Sequence, residues 1–366
     1  MPLANRSWFR CRLLRWYRRN RRDLPWRRLK DPYAIWIAET MLQQTQVQTA
    51  LPYYERFLSA LPTVSALDRA PLRKVLALWS GLGYYRRAES LKRAARLLVR
   101  NHNGELPASY ESLKALPGIG DYTAGALMSI AFGAPYPAID GNARRVLSRV
   151  FGVSSPPEIQ RIARAIVPRA RPGDFNQALM ELGATMCVSH KPKCNFCPVA
   201  MGCRARRHFS GAASLKLALT NQEGEGFTPR RRPPPRAVHW PVAIIRAHDK
   251  LLLRKRPRNG LLGGLWEFPG GERAKHESIE TALTRHLGAL VGSVRPEGVV
   301  GTVRHTITNR RIWVTVLRFS RVGKPTRNLP NARWRWVNPA FFDAYPVSAM
   351  TRKVFLLLQA HEKSAG

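Results

Sequence analysis

Acidic side chains are scarce in this sequence. Its 366 residues include 23 Asp and Glu against 61 Lys and Arg, a formal net charge of +38, and the isoelectric point is about 11.4. So little negative charge favours a polyanion as the partner, because a positive field concentrates phosphate backbones near the surface. A basic surface that is merely solvated is the alternative interpretation.

Long apolar runs are also missing. No stretch approaches the roughly 20 apolar residues that a membrane span needs, so we expect no membrane partner. The N-terminal segment has arginines between aromatic residues and lacks the apolar core of a signal peptide. It predicts a basic amphipathic helix, and we expect a cytoplasmic bacterial protein that associates with the nucleoid through DNA.

Cysteine is rare, yet most of it is concentrated in one short segment. Four of the five cysteines form a C-x6-C-x2-C-x5-C run, which consists of Cys187, Cys194, Cys197 and Cys203. Disulfides are not expected in an intracellular chain. The spacing favours a 4Fe–4S cluster over zinc, which usually pairs two short knuckles, and over free thiols. Lys191 and Lys193 lie between the first two cysteines, where they could reach phosphate or only be solvated.

The distribution of apolar residues divides the chain into three parts. Residues 1–209 show helical spacing, and the predictions there include one long helix over Ala34 to Ala60, capped by Asp31. Residues 210–236 are rich in Ser, Gly, Pro and Arg and predict a linker. Residues 237–366 show strand alternation with one helix around Ser278 to Leu290, which indicates a separate α+β domain.

A glycine hairpin precedes a short helical segment. Gly118 and Gly120 flank Ile119, which lets the chain turn with positive φ and expose backbone N–H groups to a phosphate oxygen. Helices are expected over Asp121 to Phe132 and Ala143 to Phe151. Asp140 precedes the second helix, where the helix dipole favours an ionised carboxylate.

These features together resemble the endonuclease III superfamily of DNA glycosylases. Further motifs are similar to the MutY adenine glycosylase family, which removes adenine paired with 8-oxoguanine; they are Glu39–Gln46, Gly81–Tyr85 and Ile139–Asn142. The resemblance implies a multi-domain protein with an all-α helix-hairpin-helix core, an iron-sulfur loop and a C-terminal α+β Nudix-like domain. It also implies a monomer that binds double-stranded DNA containing A:8-oxoguanine or A:G.

Glycosidic cleavage calls for two carboxyl groups with different pKa values. Glu39 lies among apolar residues that would keep it protonated, and the resemblance makes it the acid that protonates N7 of adenine. Asp140 would stabilise or add to the sugar cation, with Asn142 as its hydrogen-bonding neighbour. The simpler interpretations are a surface glutamate on an amphipathic helix and an ordinary N-cap.

Tyr122 bears on whether the enzyme cuts the strand. A glycosylase that also cuts needs an amine for a Schiff base, and in relatives that cut, a lysine stands second after the last hairpin glycine. Tyr122 occupies that position here. We therefore predict a monofunctional enzyme, with a tyrosine that only packs in the core as the alternative.

The resemblance also assigns binding residues. It places Gln44, Thr45, Leu82 and Tyr84 around the orphaned 8-oxoguanine after base flipping, and it places Arg22, Trp26 and Gln177 at the adenine pocket. Without the family, each would more often be interpreted as surface or core.

The C-terminal segment departs from a Nudix hydrolase. Glu277 and Arg285 keep the register of the hydrolase box, but His286, Ala289 and Leu290 replace three glutamates that would gather Mg²⁺. Recognition of oxidised guanine is expected instead. Ile307, Thr308 and Asn309 stand where the family carries a Phe-Ser-His loop, so the Thr308 hydroxyl is kept and the aromatic ring and the imidazole are lost. Two alternatives remain: a thymine or oxidised-pyrimidine glycosylase, and a non-catalytic iron-sulfur DNA-binding protein.

Overall fold

The computed structural model describes residues 3–207, 235–288, 294–307, 309–321 and 333–365. Contacts divide the chain into two compact units, Met1–Arg69 with Ser90–Arg230, and Ala70–Glu89 with Arg231–Gly366. Most of the predicted linker lies outside the described residues. The division is not sequential, because a short segment from the helical half belongs to the second unit.

Residues 3–207 form helices and contain no strand among the described positions. The helices are α1 Leu3–Asn20, α2 Pro25–Arg28, α3 Pro32–Leu42, α4 Val47–Ala60, α5 Val64–Arg69, α6 Leu72–Leu78, α7 Arg86–His102, α8 Tyr110–Lys114, α9 Asp121–Ile130, α10 Gly141–Phe151, α11 Pro156–Ile166, α12 Pro172–Thr185 and α13 Arg204–Arg207. In the described part of the chain, no helix is both long enough and apolar enough to span a membrane.

The predicted single helix over Ala34 to Ala60 is wrong. The structure has two helices there, α3 and α4, separated by a break at residues 43–46. Gln44 adopts φ 58°, a left-handed conformation that a helix cannot include. The four residues of the break, Gln43 to Gln46, are all polar and interrupt the apolar spacing, a signal that the prediction of one helix passed over. The predicted start is correct, because the Asp31 side chain accepts hydrogen bonds from the backbone N–H groups of Tyr33 and Ala34.

Helix α3 is the most buried element near the site. Every residue from Tyr33 to Met41 is buried, so a polar residue on this helix must find its partners inside the protein. Helix α1 packs against α12 through Phe9, Leu13 and Tyr17, which are spaced four residues apart and lie on one face. These contacts fix α12 beside the N-terminal segment.

The second unit is built on a six-stranded sheet. The strands are β1 Arg236–Ala247, β2 Lys250–Lys255, β3 Trp266–Glu267, β4 Val294–Ile307, β5 Arg310–Arg321 and β6 Trp334–Val337. The order is β3-β2-β1-β5-β4, and β6 pairs with β2. β1 and β5 run parallel, whereas β4 and β5 are antiparallel.

Two helices accompany this sheet in the described residues, so the expectation of one helix is wrong. Helix α14, Ile279–Leu287, is the predicted one. Helix α15, Ala349–Ala365, follows a 3-10 turn at Pro339–Ala344 and packs on the core of the sheet through Met350, Val354 and Leu358. A four-residue spacing of this kind at the chain end indicates an amphipathic helix.

Two side chains of the segment Ala70–Glu89 donate hydrogen bonds to one backbone carbonyl elsewhere in the second unit. The Ser80 Oγ donates to the oxygen of Val347 at 2.7 Å, and the Tyr85 hydroxyl donates to the same oxygen at 2.8 Å. Ser80 is 2% exposed, and the Tyr85 hydroxyl also accepts from the backbone N–H of Gly81 at 2.9 Å. We call Ser80, Tyr85 and Val347 the Val347 clasp.

Candidate active site

Glu39 is a buried acid with a phenol as its partner. Its side chain projects from α3, the residue is 5% exposed, and Oε2 accepts a hydrogen bond from the Tyr122 hydroxyl. Burial raises the pKa of Glu39 to about 7; the hydrogen bond from Tyr122 opposes this, and the charge of Asp140 adds to it. A carboxyl with this pKa can hold a proton near neutral pH.

Tyr122 comes from the first turn of α9 and reaches α3 and α12. Its hydroxyl lies 3.5 Å from the Met180 sulfur in addition to its bond with Glu39. Burial, followed by the charge of Glu39, raises the pKa of Tyr122 well above 10.0. The residue therefore stays a neutral phenol that donates to the acid.

Asp140 is the N-cap of α10, as the sequence predicts. Its carboxylate accepts from the backbone N–H of Ala143 at 2.7 Å and from the Asn142 side-chain amide at 3.0 Å. Burial nevertheless raises the pKa of Asp140 above its ordinary value, although both hydrogen bonds oppose the shift. The expectation of an ionised group considered only the helix dipole and omitted this cost of burial.

Arg145 connects this cap to the cysteine segment. This residue was not identified from the sequence. Its guanidinium donates to Asn142 Oδ1 at 2.8 Å and to the carbonyls of Gly183 and Cys187 at 2.7 and 2.8 Å. Arg149, one turn later, donates to the Val188 carbonyl at 2.7 Å. Two arginines of α10 thus bind the start of the cysteine segment, and one of them also binds Asn142 at the start of α10.

The four clustered cysteines line one cavity. Its walls also include apolar side chains such as Val146, Val150 and Val199. Burial raises the pKa of Cys197 to about 11, and the other three cysteines raise it further. Among the described residues, no group of three or more His, Cys, Asp or Glu side chains has the arrangement of a single-ion site. The four cysteine sulfurs thus lie around one cavity.

Each of the three residues expected at the base pocket has a side-chain partner within the first unit. The Gln177 side chain accepts from the Tyr17 hydroxyl at 3.2 Å, Trp26 is buried against Tyr54, and Arg22 pairs with Glu181 at 2.7 Å. Sequence reasoning missed Glu181. The signal available was a carboxylate in an otherwise apolar helix, one turn after Gln177.

The glycine hairpin differs from its prediction at one position. Gly118 has φ 84°, as expected, but Gly120 has φ −98° and serves as the N-cap of α9. A side chain at Gly118 would also lie 2.7 Å from the Cβ of Ser90. Only Gly118 needs the freedom of glycine.

The residues expected around an orphaned base lie on separate segments. Gln44 is exposed and Thr45 is half-buried in the break between α3 and α4. Leu82 is buried, whereas Tyr84 is 51% exposed and has φ 50°. Thr308 lies outside the described residues.

Glu277 and Arg285, the two residues that keep the register of the Nudix hydrolase box, form a salt bridge. Arg285 donates to Glu277 with both Nε and Nη2, at 3.0 and 2.8 Å, and this bond lowers the pKa of Glu277 to about 2. His286 lies under Gly271, while Ala289 and Leu290 lie outside the described residues. The two retained residues thus hold the loop before α14.

Comparison with known proteins agrees with this geometry. Residues 37–169 match the family model of the HhH-GPD superfamily base excision DNA repair protein, and residues 241–357 match that of the NUDIX domain. Fold and site thus define a base excision DNA glycosylase with a Nudix-like second domain. The predicted fold class is confirmed.

Sequence relatives identify the family within this class of DNA glycosylases. The chain is 36% identical to the adenine DNA glycosylase of Homo sapiens, covering 97% of this chain and 74% of the relative. It is 41% identical to the adenine DNA glycosylase of Buchnera aphidicola, covering 74% and 75%. The chain belongs to the adenine DNA glycosylase family, which confirms the predicted resemblance, and its partner is DNA.

Solved structures show the same helical fold. A thermostable thymine-DNA glycosylase is 31% identical with a TM-score of 0.53, covering 56% of this chain and 97% of that chain. A trapped endonuclease III–DNA covalent intermediate is 22% identical with a TM-score of 0.51, covering 57% and 98%. The second likeness concerns the fold alone.

Proposed function

We propose that this protein removes adenine from A:8-oxoguanine and A:G pairs in double-stranded DNA. The observation that carries the proposal is the Glu39 carboxyl, buried, bonded to Tyr122 and with a pKa of about 7. An acid of this strength can deliver a proton near neutral pH, which is what a poor leaving group such as adenine needs.

The reaction assigns one role to each carboxyl. Glu39 gives its proton to N7 of adenine, the C1′–N9 bond breaks, and the bonding electrons leave with the base. The Asp140 carboxylate stabilises the cationic sugar or adds to C1′, and Asn142 holds that carboxylate in place. Water then bonds to C1′ through its oxygen and releases a proton; where Asp140 has added, the C1′–O bond to its carboxylate breaks in the same step, and an abasic site is left.

The strand itself stays intact in this proposal. A Schiff base at C1′ needs an amine, and the side chain that reaches Glu39 from the start of α9 is the phenol of Tyr122. The expected product is an abasic site that breaks only in alkali.

Recognition of the opposite base involves two segments. We infer that Gln44 and Thr45 approach it from the break after α3, and Leu82 and Tyr84 from the glycine turn. The exposed ring of Tyr84 suits stacking on a base. Because Ile307, Thr308 and Asn309 replace the usual Phe-Ser-His loop and only the Thr308 hydroxyl is kept, activity on A:G is expected beside activity on A:8-oxoguanine.

We also infer a 4Fe–4S cluster held by Cys187, Cys194, Cys197 and Cys203. The four thiols line one cavity with apolar walls, which supports this donor set. Such a cluster would order the loop that carries Lys191 and Lys193, both of which are exposed and available to phosphate. We further infer a monomer that acts on intracellular DNA.

One assay tests the reaction. Single-turnover cleavage is measured on duplexes with A:8-oxoguanine, A:G, A:C, T:G and thymine glycol, each with and without hot alkali. Breaks at A:8-oxoguanine that need alkali are expected. Cleavage of T:G or thymine glycol instead would favour the alternative suggested by the thymine-DNA glycosylase likeness, and binding without cleavage would favour a DNA-binding protein. Retained activity in Glu39→Gln or Asp140→Asn would contradict the assigned roles.

A further inference from the structure

A second buried carboxylate lies in the helical unit, and no step described above uses it. Glu181 projects from α12, and its side chain is 0% exposed. Arg22 Nε donates to Oε1 at 2.7 Å and Arg22 Nη2 donates to Oε2 at 3.0 Å. Arg27 Nη2 donates to Oε2 at 2.7 Å. One carboxylate therefore holds two guanidinium groups at once.

Glu181 keeps its negative charge in this position. Burial alone raises the pKa of Glu181, but the hydrogen bonds and charges of Arg22 and Arg27 outweigh it, and the net pKa lies below the ordinary value. Losing the carboxylate would leave two arginines facing each other with no compensating charge between them.

Arg27 also acts on Glu39. The groups that set the protonation of Glu39 are Tyr122 from α9, Asp140 at the start of α10 and Arg27 from α2, and Arg27 favours the ionised form. The guanidinium of Arg27 lies 5.5 Å from the centroid of the Tyr17 ring, and Tyr17 donates to Gln177. The arginine is thus held between Glu181 and the aromatic ring.

We propose that Glu181 is a positioning residue that fixes Arg22 and Arg27 and offsets the positive charge of Arg27, so that Glu39 keeps its proton. This inference rests on the proposed role of Glu39 as the acid. It adds a residue that acts on Glu39 through Arg27.

The test uses the full chain and the pH dependence of single-turnover cleavage of A:8-oxoguanine. The rate should fall as pH rises through about 7, because Glu39 loses its proton there. Glu181→Gln removes the offsetting charge and should move this fall to lower pH by about one unit, a rate loss of about tenfold above it. Arg27→Gln should move it to higher pH, and the double variant should lie between the two.

Two controls separate charge from structure. Glu181→Asp keeps the carboxylate and should leave the midpoint near that of the wild type. Glu267, in the second unit, is also buried and held by two arginines, Arg254 and Arg256. Glu267→Gln should lower the melting temperature without moving the midpoint.

A readout that does not depend on activity completes the design. The Glu39 carboxyl is titrated by carbon-13 NMR, with Glu39→Gln used to assign its signal. The titration midpoint should fall in Glu181→Gln and rise in Arg27→Gln even if the substrate proves to be different. Unchanged midpoints in both variants would overturn the inference, as would shifts of the same sign. If Glu181→Gln does not fold, the upward shift in Arg27→Gln is decisive.

Discussion

Glu39 owes its proton to its position on α3, whose residues Tyr33 to Met41 are all buried. Two opposing effects meet at this carboxyl. Burial disfavours the anion, and the Tyr122 hydroxyl favours it by donating a hydrogen bond. Burial is the larger effect, so the pKa rises to about 7. The phenol then keeps the acid from becoming too weak to give up its proton.

Removing that phenol gives the first prediction. Tyr122→Phe deletes a hydrogen bond that lowers the pKa of Glu39, so the pKa should rise. The alkaline fall in single-turnover rate should then move to a pH above 7. A pH–rate profile from about pH 5 to 9 measures it. The prediction fails if the fall moves to lower pH, since that would make Tyr122 a group that keeps Glu39 neutral.

The Asp140 side chain caps α10 and also supplies a carboxylate. Two substitutions separate these two roles. Asparagine also caps helices well, so Asp140→Asn should change stability by only a few tenths of a kcal/mol, whereas Asp140→Ala should cost about 1 kcal/mol. Both should abolish glycosylase activity, because the carboxylate is lost in each. Urea unfolding with parallel cleavage assays provides the measurement. Equal stability of the two variants would show that the bond to Ala143 contributes little.

At the scale of elements, the glycine hairpin joins α8 to α9 through one left-handed residue. Gly118 has φ 84° and Gly120 has φ −98°. The two glycines are two residues apart in the sequence, yet only the first has a conformation that disfavours a side chain.

This difference in φ predicts that alanine substitutions at Gly118 and Gly120 will have unequal effects on stability. Gly118→Ala places a Cβ at positive φ and 2.7 Å from the Cβ of Ser90, and should destabilise by about 1–2 kcal/mol or more and weaken duplex binding. Gly120→Ala meets nothing within 4 Å and should cost under about 1 kcal/mol. Thermal unfolding and a fluorescence anisotropy titration of the duplex test both. Equal losses would contradict the assignment of strain to Gly118.

The elements also show what the sequence can and cannot predict. The caps of α3 and α10 were predictable because Asp31 and Asp140 are local signals. The break at Gln44 was missed because no glycine or proline marks it, although the residues from 43 to 46 are all polar. Glu181 escaped notice for a different reason: its partners, Arg22 and Arg27, lie 159 and 154 positions away in the chain. Local patterns cannot report such pairs.

At the scale of the whole molecule, hydrogen bonds from α10 join the cysteine segment to the Asp140 cap. The Cys187 carbonyl accepts from Arg145, and Arg145 also binds Asn142, the neighbour of Asp140. Order in the cysteine segment is therefore connected with order at the Asp140 cap by a chain of hydrogen bonds.

Cysteine substitutions test the proposed cluster. Cys203→Ser removes one of the four donors and should eliminate the visible absorption and most of the bound iron and sulfide. Cys11→Ser is the matched control, because Cys11 is exposed and lies outside the cavity; its iron content should equal that of the wild type. Metal analysis and visible spectroscopy measure both. A colourless wild-type protein that contains zinc would contradict the cluster.

The Val347 clasp has a consequence for exchanging halves between relatives. Ser80 and Tyr85 precede Val347 by 267 and 262 positions, yet both donate to its carbonyl. A chimera joined within residues 210–236 would pair a native glycine turn with a foreign carbonyl. Grafts that carry residues 70–89 along with the C-terminal half should therefore fold better than grafts joined at the linker alone.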